Sequence, residues 1–141
     1  MRKLFALAVL AVLAACTPQE LPEAEVTVVD VNNIALIEGT LSYLTREAIP
    51  TPYVVVVELF RMVEDGEPEL IAATDFEENT QVPVSYMLAF NADLVDSAAN
   101  SYMVNARFLT TDGAVMYEAA EMVDPFIDMA NTNLNMQRVT E

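Results

Sequence analysis

Leu13-Ala14-Ala15-Cys16 holds the chain's single cysteine, and here residue type and spacing together spell out a chemistry. Small residues precede a thiol at the end of an apolar run, as in a bacterial lipobox. There the small side chains admit a lipoprotein signal peptidase and the thiol sulfur carries a diacylglycerol. Cys16 is therefore the expected lipidation site. An odd cysteine in an exported chain otherwise suggests intermolecular pairing or a reactive thiol, and the lipobox explains it better. The flanking residues agree: Arg2 and Lys3 supply a positive start, and Leu4 to Leu13 an uncharged stretch of export length. That stretch is too short to cross a bilayer, which takes about 20 apolar residues. Residues 1–15 are thus expected to be a cleaved signal peptide. Two or more acyl chains on Cys16 hold a protein stably on a membrane. Residue 17 is threonine, and in Gram-negative bacteria an aspartate just after the cysteine commonly retains a lipoprotein at the inner membrane. The expected location is the outer membrane, lipid-anchored and facing the periplasm.

Other reactive groups are scarce. There is no histidine, hence no imidazole base or histidine metal ligand. No lysine follows Lys3, so the mature chain has no Schiff-base amine. The three glycines, Gly39, Gly66 and Gly113, form no phosphate-cradling loop and no nucleophile elbow. Carboxylate pairs can hydrolyse glycosides, but 22 acidic residues guarantee chance pairs. Asp124, Asp128, Asn131 and Asn133 offer oxygens to calcium, without the spacing or glycine of an EF-hand. The residue set therefore implies no enzyme, no cofactor and no resident metal. From Cys16 onward four basic residues face 22 acidic ones, a net charge near −18. Such a chain is not built for nucleic acid, and an anionic lipid surface repels it. The acids are spread along the chain, which suits a solvated coat in salty surroundings; attraction to a basic partner is the alternative.

The elements that position these groups read as strands. Residues 16–33 hold the lipidated cysteine and an acidic, proline-containing tether, with Val26 to Val29 a candidate extra edge strand. From 34 to 141 short strands alternate with turn residues. ALIEGTLSYL (35–44) alternates with period two, placing Ile37, Gly39, Leu41 and Tyr43 on one face. Strands follow at 53–61, 69–76, 82–90, 102–111, 114–120 and 133–139, with an irregular crossover at 91–100. Asp112-Gly113 is the strongest hairpin signal. Seven short, mostly antiparallel strands with no amphipathic helix predict an all-β protein, a compact β-sandwich.

IEGTLSYLTREAIPTPYVVVVELFRM then resembles the opening strands of the YbaY/YscW-like lipoproteins, through Gly39-Thr40, Tyr43, Arg46, Ala48-Ile49-Pro50 and Val55, Val57, Leu59. Gln81-Val82-Pro83-Val84, Tyr86, Leu88 and Phe90 resemble that family's middle segment. Tyr102, Val104, Ala106-Arg107, Asp112-Gly113 and Tyr117 resemble its hairpin. The resemblance covers about 37–120 and implies an outer-membrane lipoprotein with a β-sandwich. Some members are pilotins, which escort a secretin subunit of type III secretion to the outer membrane.

Two functions follow as expectations. The first is a non-enzymatic, periplasm-facing lipoprotein that binds an envelope protein such as a secretin-like subunit, as an assembly chaperone or pilotin. The second is a binding module for a small molecule, cation or glycan. In strand 53–61, Val55, Val57 and Leu59 follow the inward set. Val54, Val56 and Phe60 share the other face, broken by Glu58, as an apolar strip of the kind that marks a protein partner unless a loop covers it. Arg107, on the face opposite Val104, Ala106 and Phe108, and Arg46 in the link are further binding candidates, although an outward arginine paired with a neighbouring acid suits Arg107 as well. The methionines at 62, 87, 103, 116, 122, 129 and 136 are expected to fill gaps in the packing.

Overall fold

In YVVVVELFRM, β-branched residues favour the extended backbone, and every second side chain from Tyr53 to Leu59 is buried. That strand is the centre of the larger of two sheets. The computed structural model describes residues 33–129 and 131–140. The signal peptide, Cys16 and the candidate strand at 26–29 lie outside the described residues. Among the described residues eight strands follow in order: β1 (Ile34–Ser42), β2 (Tyr53–Met62), β3 (Glu69–Glu78), β4 (Val84–Asn91), β5 (Ser101–Leu109), β6 (Val115–Val123), β7 (Leu134–Asn135) and β8 (Gln137–Arg138). One sheet has the order β4-β1-β7, the other β3-β2-β5-β6-β8. The β1–β7 pairing is parallel and the others are antiparallel. This is the all-β sandwich that the strand pattern predicts.

The last segment departs from expectation. The sequence suggests one strand over 133–139, and the structure divides it between sheets. Leu134 pairs with Leu41 of β1, and Arg138 pairs with Tyr117 of β6. Between them Met136 is buried, and its N–H donates to the Ser42 carbonyl at 2.7 Å. A strand that changes sheets closes one side of the sandwich. Register between distant strands is invisible to local alternation. The crossover at 91–100 is irregular as expected, with a short 3-10 turn at Ala92–Leu94 that Asn91 caps by accepting from the Asp93 N–H.

The two inner faces meet over Ile37, Leu41, Val55, Val57, Leu59, Leu88, Val104 and Phe108, all fully buried. Each such side chain contributes about 1.5–3 kcal/mol relative to its exposed state. Aromatic contacts join the sheets' far end: Tyr53 to Phe108 at 5.2 Å, Phe108 to Tyr117 at 6.3 Å, and Tyr117 stacked on Tyr43 at 4.9 Å.

Gly39 owes its identity to contact, not to turn geometry. Its inward position on β1 is filled by the backbone of Thr132, so that an added Cβ would lie 1.9 Å from the Thr132 carbonyl oxygen. That carbonyl accepts the Tyr86 hydroxyl at 2.8 Å, and the Thr132 N–H donates to the Glu38 carbonyl at 3.1 Å. Burial pushes the Tyr86 hydroxyl up to about 12, so it remains a proton donor at neutral pH.

Candidate functional site

The segments that carry the family resemblance meet in space. The Gln81 side-chain amide accepts from the Ile49 N–H at 2.9 Å and donates to the Ile49 carbonyl at 3.0 Å. The Tyr43 hydroxyl donates to the Glu47 carbonyl, and the Tyr53 hydroxyl to the Thr80 carbonyl. Burial, with the charge of Glu78 nearby, pushes the Tyr53 hydroxyl up to about 12. Glu78 itself is held below the usual carboxylate range by the Thr80 backbone N–H it accepts. Tyr43, Ile49 and Gln81 therefore brace the links at the end of the sandwich away from the chain entry, and they present no reactive group.

The outward face of the larger sheet is different. Strand alternation sends Val54, Val56, Glu58 and Phe60 outward, and all four are half-buried by their neighbours on the same face. Cross-strand register supplies those neighbours. Phe60 pairs with Leu70 of β3 and Met103 of β5, and Met103 pairs with Met122 of β6. Leu70, Phe60, Met103 and Met122 thus form one apolar row across four strands, with Leu70 52% and Met122 55% exposed. Beside it Phe60, Glu67, Pro68, Met103 and Asn105 line an open depression of about 410 Å3. The next rows are polar. Val56 lies between Asp75 and Arg107, and the Arg107 Nη2 donates to Glu58 Oε2 at 2.7 Å. Arg107 is therefore the outward arginine paired with an acid that its position suggests. Its Nε, and the Asn105 Oδ1, are shielded from solvent with no hydrogen-bond partner among the described residues. Leaving such groups unpaired costs about 1–3 kcal/mol each.

Val54, Val56, Phe60 and Arg107 accordingly share one face. Arg46 does not join them; it is exposed in the link between β1 and β2. The expectation that the methionines fill gaps holds for Met136, which is buried, and fails for Met87 and Met122, which are more than half exposed. Leu70, Met103 and Met122 belong to the candidate face and carry no signal in the sequence, because their alignment depends on pairing between strands.

Three of the four residues that offer oxygens to calcium hold hydrogen bonds within the chain. Asp124 Oδ1 accepts from the Phe126 and Ile127 N–H groups and from the Ser97 hydroxyl. The Phe126 N–H, first among these, holds the Asp124 carboxyl below its usual range. Asp128 caps the Asp124 N–H, and Asn133 accepts from Thr40. Between the sheets the space is taken largely by apolar side chains.

The apolar row thus lies on the outside of the larger sheet of the β-sandwich. Residues 32–137 match the family described as type III secretion system lipoprotein chaperone (YscW), and the chain belongs to that family. The fold is also similar to the structure of an alternative pilotin from the type II secretion system of Vibrio cholerae. The likeness has 27% identity and a TM-score of 0.67, and covers 77% of this chain and 99% of that chain. No match is found among the curated proteins.

Proposed function

We propose that this chain is a lipid-anchored, periplasm-facing outer-membrane lipoprotein that acts as a non-enzymatic chaperone for an envelope protein, a secretin-like subunit in the manner of a pilotin. The observation that carries the reading is the apolar row Leu70, Phe60, Met103 and Met122 on the outside of the larger sheet of a chaperone-family sandwich. A flat row across four strands suits burial against an apolar segment of a partner. Val54, Val56, Phe60 and Arg107 make up the partner-binding face, and the lipobox at Cys16 supports delivery to the membrane.

Cell fractionation tests the reading. Cys16→Ser should leave the protein folded and move it from the membrane pellet to the soluble periplasm. The secretin-like subunit should then fall in the outer-membrane fraction. A Cys16→Ser protein that still pellets through salt washes would contradict the anchor. An unchanged distribution of that subunit would contradict the chaperone role.

A further inference from the structure

The sandwich has an apolar end, and it is the end at which the chain arrives from Cys16. Ile34 opens β1 and pairs with Asn91, the last residue of β4. Leu94 follows in the 3-10 turn. Phe126 packs its ring 6.2 Å from that of Phe90, which pairs with Ala35. Ile127 is next in the chain. These four residues are 46%, 49%, 44% and 80% exposed, although burying such side chains is otherwise favourable. Their presentation is fixed locally. Asp124 accepts the Phe126 and Ile127 N–H groups, Asp128 caps the Asp124 N–H, Pro125 beneath is buried, and the Ser97 hydroxyl ties the turn to the crossover.

We infer that Ile34, Leu94, Phe126 and Ile127 form a membrane-contact surface that seats on a zwitterionic lipid surface beside the acylated Cys16. The inference rests on the lipid-anchor reading and adds an orientation to it. Residues 17–32 can hold Ile34 no farther than about 60 Å from Cys16 even when fully extended. Anchoring makes the contact intramolecular, at an effective concentration on the order of millimolar. Under that condition a few aliphatic and aromatic side chains at the headgroup boundary suffice, though they would not bind lipid alone. Charge selects the lipid. Asp93, Asp96, Asp124 and Asp128 surround the cluster and are engaged as acceptors from Asn33 and from nearby backbone N–H groups. They repel an anionic surface and tolerate a zwitterionic one. Seated this way, the sandwich stands with the 110–114 hairpin away from the membrane, and the outer face of the larger sheet stays open at its side.

The chain has no tryptophan, so one introduced indole is an unambiguous reporter. Ile127→Trp and Leu44→Trp place it at the two ends of the sandwich; Leu44 is 87% exposed. Each lipidated full-length protein is reconstituted on phosphatidylcholine vesicles whose acyl chains are brominated, and intact mass and flotation are recorded with the fluorescence. The proposal expects flotation of both proteins. It also expects at least twofold quenching with a blue-shifted emission at position 127, and neither at position 44. Floating protein with equal emission at both positions, quenched or not, overturns the orientation alone. Loss of acyl mass and of flotation overturns the anchor reading and the orientation with it.

Discussion

Gly39→Ala adds one methyl group and should be among the most damaging single changes in the sandwich. The new Cβ would lie 1.9 Å from the Thr132 carbonyl oxygen and 2.6 Å from its carbonyl carbon, both backbone atoms. Ordinary contact requires the Thr132 backbone to retreat by more than 1 Å. That retreat strains the Thr132 N–H bond to the Glu38 carbonyl and the Tyr86 hydroxyl bond to the Thr132 carbonyl. Overpacking of this kind costs about 1–3 kcal/mol. Unpairing a hydroxyl buried like that of Tyr86 adds about 1–3 kcal/mol. The expected loss is therefore about 2–6 kcal/mol, a large share of the 5–15 kcal/mol typical of a domain. Urea melts followed by circular dichroism, with the slope held common to both proteins, measure it. A change in unfolding free energy of less than about 0.5 kcal/mol would refute the claim that the Thr132 backbone occupies this space.

Gly113→Val tests strain without contact: Gly113 has φ +94° and nothing within 4 Å of an added Cβ. The same melts should show a loss of about 1–3 kcal/mol, smaller than that for Gly39→Ala; an unchanged midpoint would mean the 110–114 turn relaxes freely. Val56→Lys puts a cation between Asp75 and Arg107 on the outward face, so stability should change by less than about 1 kcal/mol while partner capture in a pull-down is lost. A collapse of the melting temperature would show that face to be covered. Asp124 and Glu78 have depressed pKa values from the N–H groups they accept. Their stabilisation is complete above the unfolded carboxylate range near pH 4 and fades as pH falls through the lower folded values. The gap between wild type and Asp124→Ala should therefore be widest at neutral pH and close on acidification; a gap that widens in acid would contradict the sign.

Much of the sandwich is legible in the sequence because alternation is local. The buried faces of β1, β2, β4 and β5 follow from Ile37 and Leu41, from Val55, Val57 and Leu59, from Val84 through Phe90, and from Val104 through Phe108. The hairpin at Asp112-Gly113 is equally local, and its glycine has the positive φ that the motif demands. What escapes is what long-range pairing decides. The reason for Gly39 is Thr132, far along the chain. The division of the last strand depends on which sheet each half reaches. The candidate site divides the same way. Val54, Val56, Phe60 and Arg107 emerge from alternation within their own strands. Leu70, Met103 and Met122 join them only through the β2–β3, β2–β5 and β5–β6 registers.

Photo-crosslinking in intact cells tests the docking face most directly. A benzophenone side chain at Phe60, in the apolar row, is compared with one at Met87, which is 53% exposed on the outside of the smaller sheet. Both proteins keep Cys16 and are crosslinked on the membrane, and the adducts are identified by mass spectrometry. A docking face on the larger sheet should give one dominant adduct with a secretin-like envelope subunit from position 60, and none with that protein from position 87. An adduct with that subunit from position 87 and none from position 60 would contradict the assignment of the larger sheet's outer face as the site of chaperone action.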